Sequence, residues 1–195
     1  MDRRSFIQCA AMAAGAAALG AEAFRFRWLV SSCLYGKMAL EDILRELRGL
    51  GADALDVWPK THGDQREQLD AMGEEAFAAL LKRYEAKLAC LTRYDLGPFR
   101  LADEMRLAKR LGCGTIVTGS LATKDLKGHE LKHAVSKFCE RLKPHLDVAA
   151  ECGVTLAIEN HGAALICTPD SIRWLVDAAP VFAALGDETR LKLVV

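Results

Sequence analysis

Apolar positions follow two spacings after residue 24, and the two alternate. Runs of consecutive apolar residues fall at 28–34, 54–58, 87–92, 115–119 and 154–159. Between them lie stretches whose apolar residues recur three and four apart. These are 39–50 (Leu40, Ile43, Leu44, Leu47, Leu50), 74–86 (Phe77, Leu80, Leu81, Tyr84), 101–111 and 128–152. The first spacing predicts buried strands and the second predicts amphipathic helices. Gly51, Gly112 and Gly153 follow helical stretches where a glycine closes the last turn. Pro59 opens a polar loop through His62 and Gly63. Pro144 falls inside the longest helical stretch and predicts a kink or a split. Thr168-Pro169-Asp170 reads as a helix start, with Thr168 as N-cap and Pro169 at the first helical position.

Strands alternating with helices every 25 to 35 residues or so describe repeated βα units, hence a parallel sheet covered by helices. Two α/β architectures fit that order, a doubly wound open sheet and a (β/α) barrel. No strand-to-helix loop carries a glycine-rich phosphate motif, so the nucleotide-binding open sheets lose support. Both architectures place chemistry at the carboxyl ends of strands. The fifth run, Thr155-Leu156-Ala157-Ile158, leads there into Glu159, Asn160 and His161, then Gly162. A carboxylate, an amide and an imidazole together suit a metal or a sugar hydroxyl. Asp56 lies between Leu55 and Val57 and points inward if alternate residues do; there an unpaired carboxylate is costly unless it has a function. A helix cap or a salt bridge to Lys60 is the structural alternative. His62 lies in the loop on the same face, as either a contact or a plain polar loop residue. His129 and His133 are four apart but lack an HExxH frame, and read as a solvated outer face.

The totals narrow the field. The 195 residues suit one ordinary domain, and 26 basic against 26 acidic side chains leave no excess to attract nucleic acid or an anionic membrane. The seven cysteines form no CxxC pair, which speaks against a zinc knuckle. Residues 1–23 read as an export signal. Arg3 and Arg4 precede Ser5, Phe6 and Ile7, an uncharged alanine-rich stretch follows, and Ala21-Glu22-Ala23 offers a cleavage site. The order resembles the twin-arginine motif, which implies a periplasmic protein with no membrane attachment after signal removal.

Residues 28 to about 180 resemble the xylose isomerase-like TIM-barrel superfamily, the sugar phosphate isomerases and epimerases. The likeness rests on residues 51–58 (GADALDVW), on 108–117 (AKRLGCGTIV), and most specifically on 156–162 (LAIENHG) with Thr168-Pro169-Asp170. It implies an incomplete (β/α) TIM-type barrel of about five parallel strands over residues 24–180. It implies an isomerase or epimerase that uses a divalent metal (Mn, Mg or Zn) to assist proton transfer beside a sugar carbonyl. Glu159 matches the fifth-strand carboxylate, a catalytic group and metal ligand; the remaining ligands would come from strands six to eight, which are absent here. Asp56, His62, Asn160 and His161 are the expected substrate contacts. With one ligand of four, the expectation is weak metal binding and no turnover. The alternatives are a non-catalytic carbohydrate-binding remnant or a metal-dependent endonuclease of the same fold, the latter disfavoured by the neutral charge. Five strands also leave open sheet edges, which invite self-association. Residues 181–195 read as a helical tail, and 182–193 resemble the opening helices of ArsR-type winged-helix repressors, without a recognition helix.

Overall fold

The computed structural model describes residues 28–123, 125–183 and 191–194. The proposed signal at 1–23 lies outside them. Six strands form one parallel sheet in sequence order. They are β1 (Leu29–Ser31), β2 (Ala54–Val57), β3 (Lys87–Thr92), β4 (Thr115–Gly119), β5 (Thr155–Glu159) and β6 (Leu191–Val194). The crossovers are helical: α1 (Leu40–Glu46), α2 (Gln65–Met72), α3 (Glu74–Arg83), α4 (Ala102–Arg110), α5 (Gly128–Cys152) and α6 (Pro169–Ala183). No helix among the described residues is long and apolar enough to cross a membrane.

Strand alternation separates two faces with different chemistry. Val30, Leu55, Val57, Leu88, Leu91, Ile116, Leu156 and Ile158 share a buried core with Ile43, Leu44, Phe77, Met105, Phe138 and Leu142 of the helices. The opposite, concave face carries short and polar residues near the carboxyl ends. Ser31 pairs with Asp56, and Gly119 with Glu159. A register shift between Leu55 and Asp56 sets Asp56 opposite Cys90, and the Thr92 hydroxyl then reaches the Asp56 carboxylate. The apolar core lies outside the sheet, which leaves the inner face free for a site.

The five expected strands are present, and 87–92 and 115–119 have the expected bounds. Gly51 and Gly153 close their helices at φ +72° and +69°, a region a side chain enters at a cost. Thr168 caps α6, its Oγ1 accepting the Ser171 backbone N–H at 3.2 Å. Three expectations are corrected, and one helix is added. The run at 28–34 is a strand only over Leu29–Ser31, and a 3-10 turn over Ser32–Tyr35 follows. Pro144 does not split α5: both Pro144 and Glu140, whose carbonyl loses its partner, lie on the exposed side, where water can replace the bond. Residues 65–72, which carry no apolar period, form α2, whose buried face sets Gln65 and Arg66 beside the single apolar Leu69. Gln65 Nε2 donates to the Gly36 and Met38 carbonyls at 2.8 and 2.9 Å, and the Leu40 N–H donates to Gln68 Oε1 at 2.8 Å. The tail is not wholly helical. Leu191–Val194 pairs with β5 from Leu156↔Leu191 to Glu159↔Val194, covering an edge whose backbone groups would otherwise lack strand partners. Most of the winged-helix likeness, 184–190, lies outside the described residues.

Candidate functional site

The carboxyl ends of the strands surround a cavity of about 680 Å³. Trp58, His62, Tyr94, Glu159 and His161 line it, with Cys33 and the small residues Gly119, Ser120 and Ala122. Trp58 is the first residue past β2, and Tyr94 lies two past β3. The Trp58 and Tyr94 rings stack, with centroids 5.8 Å apart and planes 25° apart. His62 meets Trp58 edge-on at 5.8 Å, and His161 meets Tyr94 at 6.1 Å. Four rings thus form one continuous wall. At its end the Tyr94 hydroxyl donates to Glu159 Oε2. His161 Nδ1 lies 2.9 Å from the Gly162 carbonyl. A carbonyl only accepts, so Nδ1 is the donor in this contact.

Beneath the wall lies Asp56, only 7% exposed. Thr92 Oγ1 donates to its Oδ1 at 2.9 Å, and Ser31 Oγ and Trp58 Nε1 donate to its Oδ2 at 3.1 and 2.5 Å. Burial disfavours the charged form and raises the carboxyl above its ordinary pKa, against the pull of these donors. Burial also raises the Tyr94 phenol, and the adjacent Glu159 adds to it. Tyr94 is therefore a neutral donor at neutral pH.

The loops after β4 and β5 complete the rim. The Thr123 N–H donates to the Ala163 carbonyl, the Leu165 N–H to the Leu121 carbonyl, and the Ile166 N–H to Ser120 Oγ. A second cavity of similar volume opens at the amino ends of the strands, lined mainly by apolar residues with Lys82 and Lys87. It carries no carboxylate or imidazole among the described residues.

Glu159, His62 and His161 therefore share a cavity, while Asp56 does not reach it. Asp56 faces inward as its spacing suggests, but three donors, the Thr92 and Ser31 hydroxyls and the Trp58 indole N–H, occupy it. Asn160 is half-buried and is not among the lining residues. His129 and His133 lie on the exposed face of α5. Sequence reasoning missed Tyr94 and the site role of Trp58. The available signal was an aromatic residue one or two positions past a strand end.

A family model described as xylose isomerase-like TIM barrel matches residues 44–186, well over half of the chain. The chain belongs to that family. Its fold is similar to that of the IOLI protein, solved with a bound zinc atom: TM-score 0.66, 17% identity, covering 87% of this chain and 62% of that one. A xylose isomerase-like TIM barrel protein from Mycobacterium smegmatis, in complex with magnesium, matches at TM-score 0.60 and 19% identity over 86% of this chain and 63% of that one. D-psicose 3-epimerase from Clostridium cellulolyticum H10, with D-tagatose, matches at TM-score 0.59 and 14% identity over 86% and 62%. At these identities the likeness concerns the fold. The chain spans less than two thirds of the length of these proteins. Comparison with curated proteins gave no match.

Among the described residues the donors do not fit the expected divalent metal. No group of three His, Cys, Asp or Glu side chains converges among the described residues. Glu159, the matched ligand, has one oxygen engaged by Tyr94. A catalytic metal needs several ligands at one point.

Proposed function

We propose that the protein binds an unphosphorylated sugar or sugar derivative at the carboxyl ends of its strands, without isomerase turnover by this chain alone. The observation that carries this reading is the stacked Trp58–Tyr94 wall ending at Glu159 in one cavity. The aromatic rings of the lining offer apolar surface to the C–H side of a sugar ring, while a carboxylate and imidazoles take its hydroxyls. Among the described lining residues Glu159 is the acidic group and no lysine or arginine joins it, so a phosphate would meet a like charge without a permanent cation to offset it. Proton transfer beside a carbonyl also requires an electrophile for the developing oxyanion. The donors described above make no metal site for that purpose.

The test is calorimetry and saturation-transfer NMR with D-tagatose and D-psicose, each against a phosphorylated ketohexose. The expected result is binding of the free sugars with Kd on the order of 1 mM or tighter. The affinity should fall about tenfold or more in Glu159→Gln and Trp58→Ala. The phosphorylated sugar should bind more weakly, and no epimer should form with or without manganese. Absence of binding, or binding unchanged in both variants, refutes the reading; epimer formation refutes the inactivity.

A further inference from the structure

Gly119 ends β4 directly opposite Glu159 in the ladder with β5. It is not in the left-handed region, so its backbone does not require glycine. Space does: a Cβ built there would lie 2.8 Å from Tyr94 Cε1 and 3.0 Å from Cδ1. The missing side chain is a notch for the edge of the Tyr94 ring. The ring's face is covered by Trp58, which is itself fixed twice. Its indole N–H donates to Asp56, and its backbone N–H donates to Ser32 Oγ at 2.9 Å. The Ser31 and Thr92 hydroxyls hold Asp56 in turn. A chain of contacts therefore runs from a buried anchor to the mouth of the cavity: Asp56, Trp58, Tyr94, Glu159.

We propose that Tyr94 is the positioning residue of this cavity, tethering one oxygen of Glu159 so that a ligand meets the other at a fixed place. The stack on Trp58 and the notch at Gly119 keep the phenol where it can do so. This rests on the reading that a sugar occupies the cavity. Without the tether Glu159 is free to rotate, and ordering it on binding weakens affinity about three- to tenfold.

The test uses D-tagatose calorimetry together with Trp58 emission in a Trp28→Phe/Trp174→Phe background, where Trp58 is the sole indole. Tyr94→Phe keeps the ring and removes the hydroxyl. It should leave emission and melting temperature unchanged and weaken D-tagatose binding three- to tenfold. Gly119→Ala should push the ring aside, changing emission and weakening binding at least as much, with far-UV circular dichroism retained. The double variant Gly119→Ala/Tyr94→Phe should bind no more weakly than Gly119→Ala, because both act through one hydroxyl. Wild-type affinity in Tyr94→Phe, or additive losses in the double variant, overturns the tether while leaving the sugar reading intact. If the wild type binds no D-tagatose, the sugar reading fails, and emission decides the arrangement. A change in Gly119→Ala that is absent in Tyr94→Phe supports the notch, and unchanged emission in Gly119→Ala overturns it.

Discussion

Asp56 shows how one residue can face a site without contacting the ligand. Its strand position aims it inward, but its hydrogen bonds make it a foundation for Trp58. Burial raises its carboxyl pKa, so in the window above the usual 3.8 the folded state binds a proton that the unfolded chain has released. Its contribution to stability is therefore fullest below that value and declines as pH rises through the folded-state pKa. Asp56→Asn removes this titration. The Asn amide oxygen can replace Oδ2 toward Trp58 and Ser31, while the amide group donates to Thr92, whose hydroxyl can accept. Urea denaturation from pH 4 to 7 should show a shallower decline for Asp56→Asn than for wild type. Equal slopes would place the proton elsewhere.

Packing between elements depends on a buried ionic cluster as well as on the apolar core. Glu104 of α4 takes Arg66 of α2 through Nη2 at 2.8 Å and Nε at 3.1 Å, and Arg93 beyond β3 through Nη1 at 2.5 Å. Asp95 binds the other side of Arg93. All three members of the Arg66–Glu104–Arg93 group are less than 10% exposed. Removing the shared charge leaves two buried guanidinium groups close together, with Asp70 for Arg66 and Asp95 for Arg93 as their remaining carboxylates. Glu104→Gln should therefore cost about 3–5 kcal/mol in urea unfolding, against about 0–1 kcal/mol for Arg45→Gln in an exposed pair. A loss below about 1 kcal/mol at Glu104 would show that water or rearranged side chains satisfy the arginines. Charges this far apart in sequence, Arg66 and Glu104, have no local signature. The same holds for α2, whose buried face carries Gln65 and Arg66 with Leu69 as its one apolar residue.

At the scale of the molecule, the sheet formed by the described residues is open. β6 covers the edge of β5, and β1 is the opposite edge. Near β1, Leu29 is 46% exposed, and Leu34 and Leu50 are also exposed. An unpaired strand edge beside apolar side chains favours association with another copy. Sedimentation velocity should show concentration-dependent self-association, reduced by Leu29→Lys/Leu50→Lys with far-UV circular dichroism unchanged. A monomer at all concentrations would show that the edge is protected.

Much of this architecture was legible in the sequence because it rests on local periodicity. Apolar runs separated by three-four spacing gave the five βα units, and glycines past helix ends gave their boundaries. The strand-end rule points from Thr155–Glu159 to the face on which the cavity lies. The sequence also identified Glu159, His62 and His161 as candidates, because a strand end is a one-dimensional feature. What the sequence could not determine depends on pairs distant along the chain. Tyr94 lies 65 residues from Glu159, and Gly119 makes room for a ring from the loop after β3. Asp56 changes from contact to anchor because Ser31, Trp58 and Thr92 converge on it. The last four described residues form a strand because β5 offers unpaired backbone groups there, a condition that exists only once the sheet has formed.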